Sequence, residues 1–185
     1  MIILITGQQG SGKTLLAVKE ILSYTKKGYK IVSNVNLNNI SHELLDYDKV
    51  MNCEYEKAVV FIDEIHQILP ARRSMSKTSV RIVDGFLSMI RKKEVILIGT
   101  TQFERKVDSR LRLEKDYFVT CKRFLYKNGA FIPASPDFKD PFAICVIDVE
   151  MECVYNQERK KAHFIANKYY KYYDTKQIIA VNSNK

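Results

Sequence analysis

TGQQGSGKT, at residues 6–14, follows the apolar run MIILI and leads directly into LLAVKEILSYTKK. Gly7, four further residues and then Gly12-Lys13-Thr14 reproduce the full phosphate-loop pattern G-x-x-x-x-G-K-[ST]. The run before the loop is typical of a buried strand. Apolar residues at helical spacing follow the loop: Leu15, Leu16, Val18, Ile21 and Leu22. The stretch therefore predicts a strand, a phosphate-binding loop and a helix, and with them a nucleoside triphosphate site.

Each position of the loop has a physical role. Glycines lack a Cβ, so the backbone can curl and direct its N–H groups, together with the positive end of the following helix, toward phosphate oxygens. Lys13 is expected to reach the β- and γ-phosphates, and the Thr14 hydroxyl to bind Mg²⁺. ATP and Mg²⁺ are the predicted cofactors. The predicted nucleotide contacts are Gly7, Gln8, Gln9, Gly10, Ser11, Gly12, Lys13 and Thr14.

A second motif, VVFIDEIH at residues 59–66, places two carboxylates after an apolar strand. In phosphate-loop enzymes an acidic residue at such a strand tip holds Mg²⁺, through water, and we assign this role to Asp63. The neighbouring Glu64 is well placed to orient and deprotonate water, which predicts hydrolysis and not transfer to a small acceptor. His66 is expected to pack or contact a neighbour without a catalytic role.

Gln102 ends the next buried strand, after EVILIG and two threonines. A glutamine there can hydrogen-bond both phosphate and water, so we predict that it senses the bound nucleotide. An ATPase that works as a ring also needs a cation from the neighbouring subunit, a role that suits the fixed fork of arginine. Arg110 is the first candidate, and Arg112, Arg72 and Arg73 are the others. For each one a surface ion pair or a DNA contact is an equally good explanation.

The composition is that of a soluble globular protein: 185 residues, 46% hydrophobic and 28% charged. No apolar run approaches the roughly 20 residues that a membrane span needs. The four cysteines show no C-x-x-C pairing, and we interpret them as reduced residues of a cytoplasmic protein. We expect one domain over residues 1–185, with a basic, tyrosine-rich extension at 151–185 packed on or beside it.

The net charge of +9 is unevenly distributed. Residues 1–66 contain seven Lys/Arg and eight Asp/Glu, whereas residues 67–185 contain 23 and 13, a net +10. A basic surface favours a polyanionic partner such as DNA, RNA or an anionic membrane, and we favour nucleic acid. The stretch 168–173, KYYKYY, could grip single strands by stacking and charge, but core packing of its rings is the more ordinary explanation.

Strand-type and helix-type segments alternate along most of the chain, which predicts a three-layer α/β fold with a mostly parallel sheet. Lys127-Asn128-Gly129 signals a β-hairpin within 116–133. Further strands are predicted at 29–34, 58–63, 94–99 and 142–149, and helices at 41–45, 80–92, 107–114 and, at the C-terminal end, 158–180.

Taken in order, the motifs resemble the zonular occludens toxin-like (Zot-like) ATPases of the FtsK–HerA superfamily of DNA pumps. The resemblance covers residues 1–175 and rests on GQQGSGKTLLAVKEIL, KIVSNVNL, VVFIDEIHQILPAR, IGTTQ…VDSRLR and the late YYKYYDTKQ. It implies a RecA-like core, a ring of identical subunits and work on DNA in viral packaging, virion extrusion or conjugation. It also implies that Lys13 and Thr14 bind phosphate and Mg²⁺, Asp63 the metal, that Glu64 is the base and Gln102 the sensor.

We therefore expect an ATP-hydrolysing motor that translocates DNA, with double-stranded DNA as the favoured substrate, in genome packaging or virion morphogenesis. A capsid or membrane protein is a further candidate partner. Filamentous-phage relatives carry a membrane segment after this domain, and none is visible in this sequence. A membrane-associated assembly or secretion ATPase of the Zot type, acting on protein or extruding single-stranded DNA, is the alternative. A small-molecule kinase is disfavoured because kinases usually lack an Asp-Glu pair after a buried strand.

Overall fold

The computed structural model describes residues 1–71, 77–133 and 144–173. The strands are β1 (Ile2–Thr6), β2 (Lys30–Ser33), β3 (Glu43–Leu44), β4 (Ala58–Ile62), β5 (Ile96–Thr101), β6 (Tyr117–Lys127), β7 (Ala130–Pro133), β8 (Ile144–Cys153) and β9 (Arg159–Ile165). The α-helices are α1 (Lys13–Thr25), α2 (Tyr47–Met51), α3 (Ile65–Ile68), α4 (Lys77–Lys92) and α5 (Ser109–Leu113). None of these described helices has the length and apolar composition that crossing a membrane requires.

The strands form one sheet in the order β3-β2-β4-β5-β1-β6-β8-β9, with β7 paired to β6. Pairing is parallel from β3 through to β6 and antiparallel among β6, β7, β8 and β9. The central strands β1, β4 and β5 are buried along their whole length, as their unbroken apolar runs predict. Because β5 lies between β1 and β4, its carboxyl end lies between the ends of the strands that lead into the phosphate loop and into the Asp63–Glu64 pair.

Two apolar clusters lie on opposite faces of the sheet. One joins α1 to alternate residues of β1, β4, β5, β6 and β8. The other joins α2, α4 and α5 to the opposite residues of the central strands. The sheet is therefore a middle layer between helices, and the predicted α/β fold with a mostly parallel sheet is confirmed. The hairpin around Asn128 and Gly129 is confirmed as well, since β6 and β7 pair antiparallel across it.

The predicted C-terminal helix over 158–180 is wrong for the described part of that range. Residues Arg159–Ile165 form β9, which pairs antiparallel with β8, and two single 3₁₀ turns follow, at Ala166–Lys168 and Tyr170–Tyr172. Apolar spacing in this segment fits a helix locally, but β8 offers an unpaired edge whose N–H and C=O groups need partners. Residues 174–180 of the prediction lie outside the described residues.

The predicted short helix at 41–45 is also wrong. Glu43 and Leu44 form β3 beside β2, and the helix begins only at Tyr47. Asp46 sets that start, because its side chain accepts hydrogen bonds from the backbone N–H groups of Asp48 and Lys49. Asp46 is a capping residue that the sequence displays, and the helix that it starts begins six residues after the predicted start at 41.

Candidate active site

The loop between β1 and α1 is shaped by two glycines whose neighbours leave no room for a side chain. Gly12 has a φ of 92°, and a Cβ there would lie 2.1 Å from Cδ1 of Ile147 on β8. A Cβ on Gly7 would lie 2.7 Å from the carbonyl oxygen of Cys121 on β6. The late strands β6 and β8 therefore pack against the loop and make glycine obligatory at both positions.

Two polar groups of the loop fit a bound phosphate. The Ser11 hydroxyl is buried and has no hydrogen-bond partner among the described residues. The Lys13 side chain is 6% exposed, and its Nζ donates to the carbonyl oxygens of Gly7 and Gln8, both at 3.0 Å. A buried donor without an acceptor is costly, so the loop fits an acceptor that residues 1–71, 77–133 and 144–173 do not supply. Phosphate oxygens at a helix N-terminus meet that need.

The charge state of Lys13 is set by opposing influences. Burial lowers the pKa of its ammonium from the ordinary value, while the negative charges of Glu64 and Asp63 raise it. Burial disfavours the charged form of the neighbouring Cys121 thiol as well and raises its pKa to about 12, while the positive charge of Lys13 lowers it. The thiol therefore adds no negative charge near neutral pH, and the two carboxylates are the anions that face the lysine.

Asp63 follows β4 and lies beside the first turn of α1. Its Oδ1 accepts from the Thr14 hydroxyl at 3.0 Å and also from the Thr100 hydroxyl. Its backbone is held by Asn34, whose Oδ1 accepts from Asp63 N at 2.8 Å and whose Nδ2 donates to Asp63 O at 3.0 Å. The structure thus brings together the two residues predicted to hold Mg²⁺. A carboxylate and a hydroxyl fit Mg²⁺, which is usually bound by one or two protein groups together with substrate phosphates.

Glu64 is the residue after Asp63, and its backbone is left-handed at φ 49°. Its N–H donates to the Thr100 hydroxyl at 3.0 Å, so one threonine orients both acidic residues. The side-chain Oε1 accepts from Gln102 Nε2 at 3.4 Å, and Oε2 lies 3.3 Å from His66 Nδ1. Oε2 is buried, and the histidine is at ion-pair distance without the alignment of a hydrogen bond. This oxygen is therefore able to accept a proton from a further group, as a general base must.

His66 joins this carboxylate to the end of β5. Its Nδ1 lies 3.1 Å from the hydroxyl of Thr101, which in turn accepts from Phe103 N at 3.1 Å. Gln102 stands between these two residues and is half-buried. The structure therefore places Gln102 against Glu64 and adds a second connection through His66 that the sequence did not reveal. Its role as a sensor of the nucleotide stays a prediction.

Two of the candidate arginines, Arg110 and Arg112, lie on α5. Arg110 is bound within its own chain: its guanidinium contacts Asp108 Oδ2 at 3.1 Å and Asp84 Oδ1 at 2.8 Å. The Asp108 hydrogen bond raises the pKa of Arg110 further. Arg112 Nε donates to the carbonyl oxygen of Val107 at 3.0 Å. A role in a neighbouring site stays a prediction for both, and Arg110 would have to exchange its carboxylates to perform it. Arg72 and Arg73 lie outside the described residues.

Sequence reasoning missed three residues that contact Asp63 or Glu64. Asn34 and Thr100 are polar residues at or just after the ends of buried strands, a signal that was available. Tyr173 was seen only as one ring of a tyrosine-rich stretch, yet its hydroxyl donates to Asp63 Oδ2 at 3.1 Å. Because 110 residues separate the two, nothing in the local sequence could pair them.

A sequence profile described as "ATPase family associated with various cellular activities (AAA)" matches residues 3–121. No curated protein sequence matches the chain significantly. Among solved structures, the N-terminal domain of zonular occludens toxin from Neisseria meningitidis is 19% identical with a TM-score of 0.61, over 94% of this chain and 98% of that one.

The genome packaging NTPase B204 of Sulfolobus turreted icosahedral virus 2, solved with ATP-gammaS, is 15% identical with a TM-score of 0.58, over 86% of this chain and 95% of that one. B204 from Sulfolobus turreted icosahedral virus, described as a DNA-packaging ATPase, is 16% identical with a TM-score of 0.56, over 86% and 95%. Both kinds of neighbour match the resemblance noted in the sequence, and at these identities they show a shared fold.

Proposed function

Since this chain belongs to the ATPase family associated with various cellular activities and is an ATPase, we propose that it is a motor that translocates DNA. Genome packaging or virion morphogenesis is the proposed setting. The main support for the proposal is that the phosphate loop and the ends of β4 and β5 meet: Thr14 of the loop contacts Asp63, and Glu64 contacts Gln102. The proposed base for hydrolysis and the proposed sensor of the nucleotide are therefore in direct contact. A motor needs such a contact because hydrolysis must be coupled to movement.

The proposed roles follow from this arrangement. The amides of residues 7–12 and Lys13 bind phosphate, and Thr14 and Asp63 hold Mg²⁺. When bound, the ion neutralises charge on the phosphate oxygens. Glu64 takes a proton from water through its buried Oε2, and Gln102 reports whether the terminal phosphate is present. Arg110 and Arg112 remain candidates for a cation that acts in trans.

The segment that follows Gln102 supports a link between hydrolysis and DNA. Phe103 is 51% exposed, and Lys106 Nζ lies 4.2 Å from its ring centroid. Arg105 is exposed beside them. We name residues 103–106 the sensor loop. An exposed aromatic ring with two cations suits a nucleic-acid strand, through stacking and phosphate contacts. A change at Glu64 would reach this loop through Gln102 and through His66 and Thr101.

Two further features support DNA as the partner. The excess charge of +10 lies in residues 67–185, outside the phosphate loop and the Asp63–Glu64 pair. The B204 neighbours are described as genome-packaging or DNA-packaging ATPases. Assembly into a homo-oligomeric ring belongs to the same proposal, because a motor must hold its track while each site turns over.

The test is phosphate release with and without double-stranded DNA across a range of salt concentrations. We expect DNA to raise the rate several-fold at low salt and the effect to decline as salt rises, since phosphate contacts release counterions. In the double variant Arg105→Ala/Lys106→Ala, the slope of log affinity against log salt should fall by about two. The control is Lys26→Ala/Lys27→Ala, just beyond the C-terminal end of α1 and so away from the phosphate loop. It removes equal charge and should keep the wild-type slope.

A rate that DNA leaves unchanged at every salt concentration would rule out the motor. The alternative is a membrane-associated assembly or secretion ATPase, which the resemblance to Zot-like proteins implies; a Zot N-terminal domain is among the structural neighbours. Flotation with anionic liposomes, together with weak DNA binding, would support that alternative. Phosphate release without any added acceptor excludes a small-molecule kinase.

A further inference from the structure

The segment that follows β9 begins beside β8 and ends beside the loop after β2, where it contacts Asp63 of the nucleotide site. At its start, the Asn167 side chain accepts from Cys145 N at 2.8 Å. Near its end, Asn38 N donates to Tyr172 O at 2.8 Å, and Asn39 Nδ2 donates to Lys171 O at 3.2 Å. We name residues 166–173 the strap. The strap is held at its start by the Asn167 side chain and near its end by the carbonyl groups of Lys171 and Tyr172, so its last side chain has a defined direction.

That side chain is Tyr173. The residue is 8% exposed and belongs to the apolar cluster of the α1 layer, together with Leu16, Val35 and Leu37. Its hydroxyl donates to Asp63 Oδ2 at 3.1 Å in a buried hydrogen bond. A phenylalanine would pack in the apolar cluster equally well, so packing does not account for the hydroxyl, whereas its hydrogen bond to the Asp63 carboxylate gives it a role.

The hydrogen bonds of Asp63 divide between its two oxygens. Oδ1 has two donors, the hydroxyls of Thr14 and Thr100, and Oδ2 accepts from Tyr173. Asp63 is 6% exposed, so solvent supplies little to either oxygen. If Thr14 is to bind a metal, its hydroxyl proton must turn away from Asp63. Thr100 and Tyr173 then remain, one on each oxygen, to fix the plane of the carboxylate.

We infer that Tyr173 is a positioning residue for Asp63: its hydroxyl holds Oδ2 so that the carboxylate keeps the orientation in which it serves Mg²⁺. The inference rests on the proposed metal role of Asp63 and does not involve DNA. Residues that orient metal-binding groups through hydrogen bonds commonly change metal affinity by about 10- to 100-fold when they are removed. The contact also connects the metal side of the site to the strap, and so to β8 and β9.

The test is Tyr173→Phe, which removes one oxygen and leaves the ring. Affinity for a non-hydrolysable ATP analogue is measured with Mg²⁺ and in its absence. We expect the gain in affinity that Mg²⁺ provides to fall about tenfold, with the metal-free affinity unchanged. The Mg²⁺ concentration that gives half-maximal ATPase activity should rise by a similar factor. Tyr172→Phe is the matched control, since Tyr172 packs against the same cluster and its side chain contacts Lys171.

Thermal unfolding of both variants separates positioning from packing. A wild-type Mg²⁺ gain in Tyr173→Phe would overturn the inference. Equal losses in Tyr172→Phe, or a lowered midpoint with metal-free affinity reduced in parallel, would assign Tyr173 a structural role and overturn it too. Asp63→Asn is measured alongside. If Asp63→Asn keeps the full increase in affinity that Mg²⁺ provides, the metal role of Asp63 is wrong, and the role of Tyr173 is wrong with it. If Asp63→Asn loses that increase and Tyr173→Phe keeps it, only the inference about Tyr173 is wrong.

Discussion

At the scale of single residues, the position of Glu64 is defined by its backbone as much as by its side chain. A left-handed conformation is uncommon for a residue with a Cβ and costs roughly 1–2 kcal/mol. The hydrogen bond from Glu64 N to Thr100, itself bonded to Asp63, holds the residue in this conformation. Strain of this kind concentrates at functional sites, because the surrounding structure must sustain it. Here the carboxylate of the residue in this conformation accepts a hydrogen bond from Gln102.

Glu64→Gln tests the role of that carboxylate. The amide keeps the shape of the side chain but cannot take a proton, so phosphate release should fall by about 10²- to 10⁴-fold. Nucleotide binding, followed with a fluorescent analogue, should stay within about twofold, because no phosphate contact is assigned to Glu64. Glu114→Gln, at an exposed residue that pairs with Arg91, is the control. Turnover above one tenth of the wild-type rate would show that another group activates water.

At the scale of elements, α4 packs against α2 so closely that one position admits only glycine. A Cβ on Gly85 would lie 2.3 Å from the carbonyl oxygen of Val50. This contact involves backbone on the α2 side, so a rotamer change cannot relieve it. The close approach sets how α4 lies over the sheet and carries Phe86 and Met89 into the apolar cluster of that face. Gly85 is therefore a packing glycine inside a helix, where glycine is otherwise unfavourable.

Gly85→Ala should destabilise the protein although alanine is the better helix former. Without a clash the exchange would stabilise a helix by about 1 kcal/mol. Overpacking against fixed backbone costs about 1–3 kcal/mol, which outweighs that gain. We expect a net loss near 1 kcal/mol, measured by urea unfolding. Thr78→Ala, exposed in the same helix, should be neutral or slightly stabilising. A more stable Gly85→Ala protein would show that α4 can move off α2 at little cost.

At the scale of the whole molecule, the nucleotide site draws on distant parts of the chain. The phosphate loop comes from the first strand, the acidic pair from β4, Gln102 from β5, and Tyr173 from the last described segment. The strands β6 and β8 pack against the loop through Cys121 and Ile147. A ligand at this site therefore binds only when these parts of the chain are folded together, so its binding should raise the free energy of unfolding of the whole protein.

Nucleotide should accordingly raise the unfolding temperature. At about 100 times its dissociation constant, Mg²⁺ with a non-hydrolysable ATP analogue should add about 2.7 kcal/mol, or roughly 5–10 °C for a chain of this size. Lys13→Ala should abolish the shift, because the ammonium that meets the phosphates is gone. Lys27→Ala, beyond the far end of the same helix, should retain it. An undiminished shift in the Lys13 variant would place the nucleotide elsewhere.

Much of the site could be predicted from the sequence because its signals are local. Gly7 to Thr14 specify a loop whose chemistry depends on residues a few positions apart, and unbroken apolar runs mark strands buried on both faces. The adjacency of Asp63, Glu64 and Gln102 to that loop follows once the strands are parallel, since their carboxyl ends meet at one edge. ATPase activity, the α/β fold and the meeting of the phosphate loop with Asp63 could thus be predicted from the sequence alone.

The tertiary structure decided what depends on distant partners. Residues 159–165 pair as a strand because β8 presents an open edge, and local spacing does not reveal that edge. Ile147 excludes a side chain at Gly12, and Tyr173 binds Asp63 across 110 residues, for reasons that lie in the packing of late strands onto the first loop. Arg110 contacts Asp84, 26 residues earlier, because α4 and α5 lie side by side in the folded chain. The residues in these contacts lie far apart in the sequence, so local spacing does not reveal them. Only the fold of the whole chain brings them together.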